Sequence, residues 1–385
     1  MKKNILTFLC ISFSVISTFG QVWTTQVSGT SAALNSVHFA SLTHGWAVGS
    51  AGVMLGTTDG GTTWGGLSSG ISSQLNSICF SSPANGFAVG TGGAVIKTVN
   101  GGAIWSSVTA GIPFNLNSVF NVGNTWFVAG DMGGAGYTSN AGSTWNGMST
   151  GTPFNLKSIS YISPTQGVIC GDNGVIKKTT NGGTNWSTQV SGTTQALNSI
   201  KFISATEGWA AGGGGTILHT SDGGTTWSAQ TSGVTTSIGS IFFTDAMNGW
   251  AVSGSKILST VNGGNTWTSS VVTTNFLLSV FFVDASNGWA VGSSGTVLKY
   301  SNSISTGLKE STSKASVHLF PNPGSSILNI ETDDRIESVS MYNFLGELVK
   351  SETQGSFSVE ELPAGVYLVE LKTEKGKTTA RFIKE

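Results

Sequence analysis

Arginine is absent from the first 334 residues of this 385-residue chain, and only Arg335 and Arg381 follow. Charge of any kind is sparse, at 10% of residues, and the formal net charge is −1. Between Val22 and Ser305, seven lysines stand against seven acids, Asp59, Asp131, Asp172, Glu207, Asp222, Asp245 and Asp284. A neutral stretch without arginine lacks the electrostatic footprint that phosphate backbones require, which argues against a nucleic-acid partner.

Long apolar runs are missing too. One stretch, Ile5 to Phe19, follows Lys2 and Lys3 and ends near the small residues Thr18 and Gly20. It is too short and too rich in Ser and Thr to span a membrane, and reads as a signal peptide over residues 1–20, with the mature chain starting at Gln21. Leu9 before Cys10 argues against lipoprotein processing. Only Cys79 and Cys170 remain after cleavage. The repeat below separates them too far for a disulfide, and nothing in the sequence places His38, His44, His219 or His318 beside either thiol. No CxxC, histidine cluster or calcium-loop spacing occurs, so no metal or other cofactor is expected.

What the chain does have is repetition. TTDGGTTW at Thr57 returns as TVNGGAIW at Thr98, TSNAGSTW at Thr138, TTNGGTNW at Thr179, TSDGGTTW at Thr220 and TVNGGNTW at Thr260. The closing tryptophans, 64, 105, 145, 186, 227 and 267, are 40 or 41 residues apart, and Trp23 extends the series backwards. GWAVG at Gly45 and LNSVHF at Leu34 each run in step through seven copies, and all twelve tryptophans fall in the box or GWAVG series. Each unit holds several short segments rich in Val, Ile, Phe and Trp, cut by Gly, Asn, Asp and Ser, with no helical apolar period. That predicts an all-β fold, a seven-bladed β-propeller over residues 21–302 with four strands per unit. The boxes fall between third and fourth strands, where Asp or Asn can bond the turn backbone and Gly can take positive φ. Gly212 to Gly215 mimics a phosphate loop, but no helix follows it, and it reads as a turn. The last unit ends at Asn302 without a Trp strand, while Val22 to Gly29 is a spare one. The N-terminal strand is therefore expected to complete the last blade and remove the free edges.

The boxes resemble the Asp-box (BNR) repeat, Ser/Thr-x-Asp-x-Gly-x-Thr-Trp, of sialidases, sortilin-type receptors and some glycosidases. Box and GWAVG together are similar to the photosystem II assembly and stability factor family of propellers. The resemblance covers Val22 to about Asn302 and implies the fold; its boxes are structural turns. Sialidase chemistry needs an arginine triad, which the repeats lack, and the assembly-factor resemblance implies a basic, Arg-bearing surface, also lacking.

From Ser316 the pattern changes to FPNP at Phe320, SVSMYNFLGELV at Ser338, LPAGVYLVEL at Leu362 and a short basic end. Alternating strands and glycine turns suggest a small β-sandwich over residues 316–385, after a polar linker, 303–315. PNP, YNxxGxxV and LPxGxY in this order resemble the type A C-terminal sorting domain of the type IX secretion system. The resemblance implies passage through the periplasm, contact with the secretion machinery and a secreted, surface-exposed product.

Within the propeller, the turn after GWAVG carries Asp131 in the third unit and Asp172 in the fourth, where most units have Ser, Thr or Gly. The loops leading into the same units are GIPFN and GTPFN, placing Phe114 and Phe154 where others are small or polar. Both loop classes open on one face, so the four residues are candidates for a ligand site: aromatics beside acids suit carbohydrate, and paired carboxylates are what glycoside hydrolysis uses. Asp59 and Asp222 belong to boxes, while Glu207, Asp245 and Asp284 are expected in turns on the opposite face. The reading is a noncatalytic surface module binding protein or glycan, with a secreted glycosidase as the alternative.

Overall fold

The computed structural model describes residues 22–301, 317–332, 334–343, 347–374 and 376–385. The expected signal peptide, the start at Gln21 and the linker 303–315 lie outside the described residues. The chain divides into two compact units, residues 1–303 and 304–385.

Seven four-stranded antiparallel sheets build the first unit. Blade 1 uses Leu34–Phe39, Gly45–Gly49, Met54–Thr57 and Gly65–Leu67. The first strand of each blade is innermost, packing against the first strands of both neighbours, and the circuit closes between Leu277–Asp284 of blade 7 and Leu34–Phe39. Blade 7 takes its outer strand from the other end of the chain: Val22–Gln26 pairs antiparallel with Val297–Ser301, Val22 opposite Ser301 and Gln26 opposite Val297. The ring is closed by the N-terminal strand.

An inner strand has one edge without a sheet partner, so its amides there need acceptors from elsewhere. A serine in each inner strand supplies one. The N–H of Ile78 donates to Ser36 Oγ (3.3 Å), Val119 to Ser77 (3.1 Å), Ile159 to Ser118 (3.3 Å) and Ile200 to Ser158 (3.1 Å). Ile241 donates to Ser199 (3.1 Å), Val280 to Ser240 (3.3 Å) and Val37 to Ser279 (3.4 Å), which completes a belt of seven bonds.

Between blades, aromatic rings do the packing. Trp46 of blade 1 stacks on Phe80 of blade 2 with centroids 3.5 Å apart, and the box Trp105 meets Phe80 edge-on at 5.9 Å. The Trp46 indole N–H donates to Gly101 O in the blade 2 box at 2.9 Å. Trp289 repeats this with Phe39, Trp64 and Gly60, and Trp209 with Phe243, Trp267 and Gly263. GWAVG and the box recur in step because one blade's strand binds the next blade's turn. Such ring pairs contribute about 0.5–1.5 kcal/mol each beyond their burial.

The glycine opening GWAVG makes room for the inner-strand ring: a Cβ on Gly45 would lie 2.3 Å from Phe39. Blade 3 solves the same problem in reverse. Asn121 replaces the ring, and its cross-strand partner Trp126 replaces the glycine, so the ring comes from the second strand and lies 4.7 Å from Phe87. Trp126 therefore does not belong to the GWAVG tryptophan column, which Phe127 fills by stacking on Tyr161.

The boxes are turns, as the pattern required. Thr57 Oγ1 donates to Asp59 Oδ1 and accepts from the Gly61 amide, whose φ is +84°. Thr63 bonds the Asp59 carboxylate through both its amide and its hydroxyl. These donors pull the Asp59 carboxyl down to about 2, and Thr226 does the same for Asp222.

In the second unit, His318–Phe320, Ile327–Glu331 and Ser356–Ser358 form one sheet, and Leu348–Glu352, Ile336–Tyr342, Gly365–Thr373 and Gly376–Lys384 another. Leu328, Ile330 and Phe357 of the first share one core with Val339, Met341 and Val369 of the second, which makes a β-sandwich. Its motifs are clasps. Asn322 of PNP donates to Arg381 O and accepts from the Ile383 amide, and the Tyr367 hydroxyl of LPAGVY donates to Pro363 O at 2.7 Å.

Candidate ligand-binding face

The turns after second strands and the loops into inner strands lie on one face of the ring, and in blades 3 and 4 they are tied together. Asp131 opens the turn 131–133 and accepts from Asn115 Nδ2 (2.9 Å) and Asn117 Nδ2 (2.8 Å) of the preceding loop and strand. The next residue, Met132, has φ +57° and donates its amide to Asn155 Oδ1 of the following loop. Gly133 donates to Phe154 O at 2.9 Å. Asn155 Nδ2 donates in turn to Asp172 Oδ2 at 3.0 Å, and Lys157 Nζ lies 3.7 Å from Asp172. Phe114, Asp131, Phe154 and Asp172 thus sit along one hydrogen-bonded edge.

Their roles divide. Both carboxylates are occupied by amide and ammonium donors, so they fix the loops. The aromatics remain open to solvent: Phe114 is 42% exposed and Phe154 40%. Phe114 lies over the Gly134 backbone, where even an added Cβ would meet its ring only at 3.6 Å. Phe154 lines an open groove of about 720 Å³ with Asn173, Val190, Thr193 and Gln195. Met132, 60% exposed, joins them and was not singled out by sequence. The available signal was that the same turn position holds Ala51, Gly92, Asn173, Gly214 or Ser294 in other blades. A long side chain held in the left-handed region with its thioether in water is a cost that packing does not offset.

The remaining acids are turn residues. Asp245 accepts from the amides of Met247 and Asn248, and Asp284, the last residue of its strand, from Ser286 and Asn287. Glu207 pairs with His219 at 2.8 Å. Among the described residues no three of His, Cys, Asp and Glu gather where they could share a metal ion. One contact escaped the sequence: His38 Nε2 lies 3.9 Å from Cys79 Sγ. Burial pushes this thiol up to about 12 and the imidazole down to about 3, so the pair stays neutral and is no thiolate nucleophile. Cys170 is buried and donates to Leu197 O.

Residues 66–202 and 150–231 match the family described as photosynthesis system II assembly factor YCF48, and residues 318–385 the secretion system C-terminal sorting domain. YCF48 from Cyanidioschyzon merolae superposes with a TM-score of 0.63 at 22% identity, covering 72% of this chain and 98% of that one. YCF48 bound to D1 peptide gives 0.63 at 20% identity, covering 72% and 94%. The WD40 propeller of Doa1 gives 0.60 at 12%, covering 73% and 95%. No curated protein matches the chain. The chain thus carries a YCF48-like propeller and a type IX sorting domain, and is secreted to the cell surface. No helix among the described residues is long and apolar enough to cross a membrane.

Proposed function

We propose that the mature protein is a noncatalytic surface module that binds an extended protein segment on the face of blades 3 and 4. The observation that carries this reading is the row Phe114, Met132 and Phe154, three large apolar side chains left in solvent on a rigid, hydrogen-bonded edge. Exposed apolar groups on a fixed frame are what a binding surface presents, since they gain affinity without a cost of ordering. Asp131 and Asp172 hold the loops in place; committed to Asn and Lys donors, they are poorly placed for proton transfer. A propeller of the same fold, YCF48, is known with a peptide bound, which favours a peptide over a glycan.

The test is to screen the full mature chain against a displayed peptide library and a glycan array in parallel. Peptides with aliphatic or aromatic side chains should be selected. Phe154→Ala combined with Met132→Gly should weaken them about 10- to 100-fold, as expected for losing one or two buried side chains, with the melting temperature little changed. Glycan binding without peptide binding, or unaltered peptide affinity in the variant, would overturn the reading.

A further inference from the structure

Strand residues alternate in direction, so the residue two after each belt serine also faces the propeller axis. Round the ring these are His38, Cys79, Phe120, Ser160, Lys201, Phe242 and Phe281. Lys201 is the one lysine in this layer, which holds no acid. Its ammonium lies 4.4 Å from the centroid of the Phe242 ring, and among the described residues no carboxylate comes within ion-pair distance of it. Asp284 is the only acid of the seven inner strands, and it is held by Ser286 and Asn287. Burial lowers the Lys201 pKa, and His38, across the ring, is kept neutral by burial first and by the Lys201 charge second. Phe242 and Phe281 stand 4.9 Å apart as an apolar wall, and Phe281 lies 4.6 Å from His38. One layer away, Ser158 and Ser240 each accept an amide, from Ile200 and Val280, which leaves their own O–H to donate, whereas the Ser199 hydroxyl between them already donates to Ile241 O at 3.4 Å. Ser158, Ser199, Ser240 and Lys201 are all only half-buried, so the axial space beside them is open.

An unopposed ammonium, hydroxyl donors and aromatic faces in one solvent-reached space are the complement of an anion with an apolar body. We propose that the axial channel at Lys201 binds a small organic carboxylate. The carboxylate would rest on the Lys201 ammonium and the hydroxyls of Ser158 and Ser240, the belt serines on either side of Ser199. The apolar body would lie on Phe242 and Phe281. This site is independent of the loop face proposed above.

Calorimetric titration of the full mature chain with benzoate, acetate and inorganic phosphate tests it. Benzoate should bind at least 10-fold tighter than acetate, and its affinity should fall as pH rises through the lowered Lys201 range, where the charge is lost. Lys201→Met should weaken benzoate at least 20-fold while raising the ligand-free melting temperature. Phe242→Leu, which keeps the charge, should narrow the gap between benzoate and acetate. Benzoate binding unchanged in Lys201→Met, none at millimolar concentration in the parent, or preference for phosphate would overturn the assignment.

Discussion

The interfaces between blades and the surfaces that face solvent obey different rules. At six of the seven interfaces a second-strand ring meets a ring of the following blade, and at the remaining one Val168 stands against Phe202. On the loop face and the axial wall, equivalent positions differ widely: Met132 against Gly92, or Lys201 against Phe242. Closure constrains the first set, because every wedge must match the next. The second set is free to vary, and that is where chemistry can be added without disturbing the ring.

The largest effect should come from breaking closure itself. Deleting Val22–Gly29 removes Trp23, which packs on Phe282 and Tyr300, and a strand paired over five residues. A large buried aromatic is worth about 3–5 kcal/mol and each pairing bond about 1, together comparable with a domain's whole stability. No cooperative melting transition should remain; an unchanged one would contradict a ring held shut by this strand.

A smaller effect probes the exception in blade 3. Trp126→Gly should cost about 3–5 kcal/mol by leaving a hole beside Phe87, and Asn121→Phe alone about 1–3 by crowding. Made together, the two changes recreate the arrangement of Phe39 and Gly45 and should return stability to within roughly 1 kcal/mol of the parent. Denaturant unfolding reads this, and a double variant as unstable as the Gly single variant would show that the exchange of rings is not the compensation.

The smallest effect separates Asp boxes from Asn boxes. Asp59 and Asp222 have folded carboxyls lowered to about 2 from 3.8. Their contribution to stability is present above the unfolded value and is lost as pH falls from about 4 through about 2. Asn100 and Asn181 make the same turn without titrating. Asp59→Asn with Asp222→Asn should therefore keep neutral-pH stability and flatten the acid limb of an unfolding curve followed by tryptophan fluorescence. An unaltered acid limb would place the pH dependence elsewhere.

Blade number, closure and the sorting domain were legible because tryptophan spacing and ordered turn motifs survive as plain sequence periods. The shared face of Phe114, Asp131, Phe154 and Asp172 followed from strand order alone. Trp126 was misread because it stands one residue from the column it resembles, and only strand register separates the two. Met132 was passed over because nothing in its own neighbourhood marks a left-handed turn position, and its oddness shows only when the repeats are aligned on that turn, where the other blades hold Ala51, Gly92, Asn173, Gly214 or Ser294. The nearness of His38 to Cys79 was legible and missed: the two hold the same place in LNSVHF and LNSICF, 41 residues apart, so the repeat itself sets them on adjacent inner strands.

The serine belt has one further consequence. Every hydroxyl receives the amide of the blade that follows it, so the contact has a direction and no preferred starting point. Adding or excising a whole unit would leave no donor stranded and no acceptor idle. The hydroxyls can seal a circle of any size, and the number seven must be written instead in the bulk of the rings wedged between sectors.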